Sequence, residues 1–300
     1  MDGAMGTEME RRGVAMDDDA WCGAAMADHG DVVRAIHQDY VRAGAEIHIV
    51  NSFALARHTL ELVGYGDRVA EFNRRAVALC REAIARAGRP MWIAGSLSTF
   101  VDAHYRVPLP AGAALRANFD EQAGVLRDAG CDLFCLEMLY DVEISLAAIG
   151  AAAATGAPVS VGFCCSLADD GETVLAGVGK MNIAEHRRFD AVLAELIPQL
   201  PSDTDIVMTV MHSRFDVTDA ALVVLAAAWP GPIGVYPNSG TFRPPNWDFD
   251  GVSTPDEFAD AAVRWAAMGA KIIGGCCGIG PEHIAAARAR LVDCTATSTS

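Results

Sequence analysis

The residues best equipped for chemistry in this chain are sulfurs. Cys276 and Cys277 stand side by side between Gly275 and Gly278, and a second adjacent pair, Cys164 and Cys165, follows Phe163. Neighbouring cysteines make a poor disulfide framework, and a total of nine leaves one over. Metal binding and burial as small apolar side chains are the two readings left open. His212 closes another apolar stretch, as an imidazole donor for a first-row metal or as a hydrogen-bonded structural residue. Glu137 follows Phe134-Cys135-Leu136, where a carboxylate is costly unless it has a partner. A thiol titrates near about 8.5, so at neutral pH it is mostly protonated, and coordination to a divalent metal removes the proton. Thiol activation is therefore the chemistry these residue types suit.

Such groups act together only if the fold gathers them. Short apolar runs at 46–53, 91–96, 132–138, 158–164, 205–212, 233–236 and 271–275 read as strands. Between them, the stretches 31–43, 67–87, 112–129, 142–155, 183–196, 217–228, 255–268 and 281–291 carry apolar residues at helical spacing. Pro255 and Pro281 fall where a first helical turn tolerates proline, and Gly44, Gly88, Gly130, Gly156 and Gly269 fall just past helix ends. Alternating strands and helices over 300 residues predict an α/β fold, a (β/α)₈ TIM barrel. One strand is missing from the count, and only Met1-Asp2-Gly3 could supply it, so the first strand is expected to be short or truncated. A single domain over 1–294 and a disordered tail over 295–300 complete the expectation.

In a parallel barrel the strand ends and following loops converge at one face. Read in order, they bring Asp2-Gly3, Asn51, Ser96, Glu137, Cys164-Cys165, His212, Asn238 and Cys276-Cys277 to one rim. Side chains alternate along a strand, so at most one of Cys164 and Cys165 looks inward, and packing is the reading for that pair.

The formal net charge of −16 argues against nucleic acid or an anionic membrane as partner. No uncharged apolar stretch is long enough to span a membrane, and the expected location is the cytoplasm. No HExxH, CxxC or GxGxxG motif is present to anchor hydrolytic zinc, thioredoxin-like or dinucleotide chemistry.

The segments DGAMGTEMERRG at the start, NSF after the second strand, YPNSG after the seventh, and IIGGCCG followed by PEHI resemble the homocysteine S-methyltransferase family along essentially the whole chain. The resemblance implies a barrel holding zinc on three cysteines, one after the sixth strand and an adjacent pair after the eighth. Cys276 and Cys277 match the pair. His212 stands where the pattern would put the third cysteine, and a set of two cysteines and one histidine with an open position is a competent catalytic zinc site.

On that resemblance, Cys276, Cys277 and His212 hold the metal, and the thiol of homocysteine or a similar small thiol takes the open position. Glu137 and Asp2 pair with the substrate ammonium, and backbone near Gly3 meets its carboxylate. Asn51 and Ser96 lie on the substrate side, with Asn238 beside the metal. The methyl group comes from an onium-type or cofactor-bound donor, and Trp247, with the loops 102–110 and 241–250, could cradle a cationic donor. The change at His212 keeps a second reading open, a metal-free barrel that binds a small amino-acid-like ligand without catalysis.

Overall fold

A computed structural model of the chain describes residues 1–177 and 186–297. Seven parallel strands follow one another around a sheet: β1 (Ile47–Ile49), β2 (Trp92–Ser98), β3 (Leu133–Leu139), β4 (Val159–Leu167), β6 (Ile206–Met211), β7 (Ile233–Tyr236) and β10 (Ala270–Ile273). A short strand β5 (Val174–Ala176) folds back antiparallel on β4, and β8 (Thr241–Arg243) and β9 (Asn246–Asp248) form a separate hairpin. The long helices α2 (Gly30–Ala43), α4 (Val69–Ile84), α5 (Gly112–Ala129), α6 (Val142–Ala153), α7 (Phe189–Leu196), α8 (Phe215–Ala228), α9 (Pro255–Ala267) and α10 (Pro281–Thr297) connect or follow the parallel strands. Two shorter ones, α1 (Gly6–Arg11) and α3 (Arg57–Leu60), lie in the loops above them. The fold is a TIM barrel, as the alternation of runs predicts.

The gap in the barrel is filled by the first residues. The Met1 ammonium donates to the Ile273 carbonyl at 2.9 Å, the Asp2 N–H to Ile47 at 2.9 Å, and the Gly275 N–H to Asp2 at 3.0 Å. Residues 1–3 thus bond to β10 on one side and β1 on the other. They do so without the regular ladder that defines a strand, and this is the short first element expected from the sequence.

Helix boundaries follow local chemistry. α2 buries Val33, Ile36, Tyr40 and Ala43 at three- and four-residue spacing and ends on Gly44 at φ +95°. α9 opens on Pro255 behind a Thr254–Glu257 capping box. The stretch expected as a helix over 67–87 forms only at Val69–Ile84, its start being taken by a 3₁₀ turn at Gly66–Arg68. Of the helix expected over 183–196, residues 183–185 lie outside the described residues, and α7 occupies the rest from Phe189. The last helix runs on to Thr297, through the first part of the stretch expected to be disordered.

The two adjacent cysteines of β4 part as strand alternation requires. Cys164 packs with Met138, Met211 and Tyr236, while Cys165 joins the main core between sheet and helices. Among the described residues, no helix is long and apolar enough to cross a membrane.

Candidate metal and substrate site

The C-terminal ends of the strands open into a cleft. His212, directly after β6, and the Cys276-Cys277 pair, after β10, meet on its wall. Nδ1 of His212 lies 3.3 Å from Sγ of Cys276, and the two sulfurs are 4.0 Å apart. One donor atom from each residue falls within 4.8 Å of the other two. Tetrahedral zinc spaces two sulfurs by about 3.8 Å, and a sulfur and a nitrogen by about 3.6 Å, given its usual bond lengths. The three donors therefore stand close to the spacing that one ion demands.

Backbone detail holds them there. The Cys276 N–H donates to Pro237 at 2.7 Å and the Ser239 N–H to Cys277 at 2.9 Å, tying the two loops into one frame. Gly278 sits at φ +82°, where a Cβ would fall 1.9 Å from the Ser239 carbonyl, so the turn after the cysteines requires glycine. The Cys276 thiol is pushed well above its usual pKa by the Cys277 sulfur beside it and by burial. A thiol held protonated beside a second sulfur is a setting that a divalent cation relieves.

His212 itself has φ +42°. The described residues contain three other non-glycine positions in this left-handed region, Trp21 (φ 44), Tyr105 (φ 56) and Met138 (φ 61), and all four line the cleft. Such backbone costs about 1–3 kcal/mol per residue and persists where surrounding structure enforces it. Concentration of the strain on one cavity wall marks this cavity as the place the fold is built to serve.

Glu137 lies on the same wall, on β3, where the pairing with β4 shifts register between Leu136 and Leu139. That irregularity re-aims the strand end at the cavity. Ser96 Oγ donates to Glu137 Oε2, and the Ser96 N–H is held by Ser52 Oγ at 2.9 Å. Burial raises the Glu137 pKa to about 7, against the opposing pull of the Ser96 hydrogen bond and of His212. It is a carboxylate poised to ionise when a cation arrives.

The other expected residues sort differently. Gly3 lines the cleft, and a Cβ there would meet the Ile279 carbonyl at 2.4 Å, so only glycine brings the backbone this close. Asn51 also lines it, but its amide is engaged with the loop above: it accepts from Cys22 Sγ at 3.3 Å and donates to the Cys22 carbonyl at 3.3 Å. Ser96 reaches Glu137, and Asn238 donates its N–H to Ser213 at 3.1 Å while its Oδ1 is buried without a partner. Neither of these two is on the cleft wall. Asp2 lies directly before Gly3, with its carboxylate buried. Its Oδ2 accepts the Ile49 N–H at 2.9 Å, a bond that holds the carboxylate against β1.

Sequence reasoning missed part of the cavity's aromatic lining. Trp21, Phe53, Phe100, Tyr105 and Phe242 line it together with Trp247. Trp21 contacts Phe53 edge-on at 5.8 Å and Phe242 at 6.4 Å, and Trp247 stands edge-on to His212 at 5.9 Å. Trp247 is fixed at both ends, its indole N–H donating to Ser239 at 3.0 Å and its backbone N–H to the Glu10 carboxylate. Tyr105 is carried by a loop wound around Asp102, whose carboxylate accepts the N–H groups of His104, Arg106 and Val107. Of these, Phe53 in the NSF segment, Tyr105 in the 102–110 loop and Phe242 and Trp247 in the 241–250 loop carried a signal, while Trp21 and Phe100 carried none, since scattered aromatics in loops look like surface until the loops are folded over the rim.

The family model described as homocysteine S-methyltransferase matches residues 1–291. The chain belongs to the homocysteine S-methyltransferase family. The homocysteine S-methyltransferase of Escherichia coli strain K12 is 27% identical to it, over 97% of this chain and 94% of that protein. A selenocysteine methyltransferase of Astragalus bisulcatus is 25% identical, over 94% of this chain and 89% of its own length. Among solved structures, the metallated form of the Escherichia coli homocysteine methyltransferase MmuM superposes with a TM-score of 0.76 at 27% identity, covering 97% of this chain and 95% of that one. The apo form of the same enzyme gives 0.68 at equal identity.

Proposed function

We propose that this protein is a metal-dependent S-methyltransferase that moves a methyl group from a cationic donor to the thiol of homocysteine or a closely similar amino-acid thiol. The observation that carries the reading is the convergence of His212, Cys276 and Cys277 on one point of the cleft wall, within 4.8 Å of one another. The relatives named for homocysteine and selenocysteine methyl transfer, and the metallated state of the MmuM structure, support it. So does the fit of the donor set, two sulfurs and one nitrogen, to zinc.

When bound there, zinc supplies the Lewis acidity that takes the substrate thiol to its thiolate at neutral pH. The chain's own residues do the remainder. Glu137, buried beside Ser96, ionises to pair with the substrate ammonium, which fixes the amino-acid end and so the direction of the sulfur. The backbone at Gly3 passes close enough to receive the substrate carboxylate. Aromatic walls from Trp21, Phe53, Phe100, Tyr105, Phe242 and Trp247 hold the donor by its cationic centre and exclude water. The substrate sulfur attacks the methyl carbon in line: a carbon–sulfur bond forms, the bond from methyl to donor heteroatom breaks, and the donor leaves neutral with the electron pair. The catalytic gain comes from alignment of the two reactants.

The test is an assay of the metal-loaded protein with homocysteine and sulfonium or quaternary ammonium methyl donors, following methionine formation. Methionine appears in wild type and is lost on metal removal. A folded, metal-loaded protein that transfers no methyl group to any small thiol would contradict the reading, and thiol binding without metal would favour the non-catalytic alternative.

A further inference from the structure

Glu137 is held from outside the barrel. Gln122 is buried on α5, on the same helix face as Phe119, Ala123 and Leu126. Its Nε2 donates to the Ser52 carbonyl at 2.8 Å and to Asn73 Oδ1 at 3.2 Å. Asn73, also buried, on α4, donates its own Nδ2 to the carbonyls of Leu55 at 3.0 Å and Val69 at 2.8 Å. The two helices thereby grip the turn after β1, which the Leu55 N–H closes by donating to Ser52 at 3.1 Å.

From that turn the contacts run inward. Ser52 Oγ donates to the Ser96 carbonyl at 2.9 Å and accepts the Ser96 N–H at 2.9 Å. Ser96 Oγ then donates to Glu137 Oε2. Ser52, Ser96 and Glu137 are all buried, so an unbroken series of hydrogen bonds shielded from water reaches from the outer helices to the carboxylate on the cleft wall. Buried bonds of this kind hold their members in one geometry more strongly than exposed ones do.

The Oε1 of Gln122 is buried without a partner. A carbonyl left so is destabilising, and an apolar side chain of similar shape would avoid the loss. Filling the space between α5 and the sheet therefore does not account for an amide at this position. Tethering Ser52 does.

We propose that Gln122 is a positioning residue for Glu137, acting through Ser52 and Ser96, and that it thereby sets the site's preference for a thiol that carries an ammonium group. The proposal rests on the reading that Glu137 pairs with the substrate ammonium. Gln122 itself touches no substrate. Without its N–H the Ser52 turn loses its tie to α5, the Ser96 hydroxyl shifts from Oε2, and the carboxylate is free to turn away from the ammonium. His212, Cys276 and Cys277 stand on other elements and are not part of the path.

Calorimetric binding of two thiols to the zinc-loaded full chain tests this, with circular dichroism as the check of folding. One is homocysteine; the other is 4-mercaptobutanoate, which keeps the thiol and the carboxylate and has hydrogen in place of the ammonium. Gln122→Met is expected to weaken homocysteine binding by about 2–10-fold, the worth of one hydrogen bond, and to change 4-mercaptobutanoate binding by less than about 2-fold. Ser96→Ala should weaken homocysteine binding further, and Gln122→Met should add nothing on that background, because the two act in series. Equal weakening of both thiols by Gln122→Met, unchanged homocysteine binding, or full additivity with Ser96→Ala overturns the proposal. Should Gln122→Met not fold, Ser52→Ala on the same path decides: loss confined to homocysteine supports the proposal, and equal loss or none overturns it. Glu137→Gln separates the two layers of the argument. If that variant keeps the wild-type preference for homocysteine, the ammonium pairing itself fails and the proposal with it; if it loses the preference while Gln122→Met keeps it, the proposal alone fails.

Discussion

His212 Nδ1 lies 3.3 Å from Cys276 Sγ although 64 residues separate them in the chain. The contact joins the end of β6 to the loop after β10, across the intervening β7, and the positive φ of His212 is the local distortion that aims the ring at the sulfur. A nitrogen at this position leaves the candidate metal with one negative charge fewer than three thiolates would give.

That charge difference is open to test. His212→Ala is expected to lower zinc affinity by at least the roughly 10–100-fold seen when outer ligand partners are removed, read by competition with a chromophoric chelator. His212→Cys should retain the metal and raise the apparent pKa at which kcat/KM for the thiol turns on, because a more negative site acidifies the substrate thiol less. An unchanged pH profile in His212→Cys would show that the residue does not touch the metal.

Glu137 makes a second prediction, with two readouts. With its pKa near 7, KM for homocysteine should rise as pH falls through about 7 in wild type. Glu137→Gln should be insensitive over that range, with kcat/KM lower by about 10–100-fold at pH 8, the worth of a charge-assisted hydrogen bond. Stability runs the other way. The folded pKa lies above the ordinary 4.5, so the folded state holds the proton more tightly and loses stability as pH rises from 4.5 towards about 7. Substrate-free Glu137→Gln is therefore expected to be more stable than wild type at pH 8, by up to about 3 kcal/mol, and to show no such gain at pH 4.5.

The aromatic roof predicts discrimination by charge. Trp247→Leu should raise KM for a cationic methyl donor by about 2–30-fold, the range of cation–π energies from exposed to desolvated sites. KM for the thiol should change little. Steady-state kinetics with both substrates varied separates the two, and an effect on the thiol alone would place the donor elsewhere.

Gly278→Ala should be destabilising by more than about 2 kcal/mol in a denaturant melt, since the new Cβ strikes backbone in a left-handed turn. Gly124→Ala is the control: it lies within α5, a Cβ there meets nothing within 4 Å, and alanine favours the helix. Equal stability of the two variants would contradict the account of the turn after Cys277.

Much of this was legible in the chain. Alternating runs mark the barrel because buried parallel strands are apolar throughout, and strand ends then mark the rim where Glu137, His212 and the cysteine pair meet. The surroundings of Asp2 were not legible, because its carboxylate accepts the Ile49 N–H in a segment with no regular ladder while its neighbour Gly3 reaches the cleft. Trp21 was hidden because its direction depends on left-handed backbone held by the loop around it, which no residue type announces in a non-glycine.

The most direct test of the central claim is X-ray absorption at the zinc edge, on the zinc-loaded wild-type protein. The account predicts two sulfur scatterers near about 2.3 Å and light scatterers near about 2.0–2.1 Å, with a third sulfur appearing when homocysteine is added. A spectrum without sulfur, or one with two sulfurs that homocysteine leaves unchanged, would contradict it.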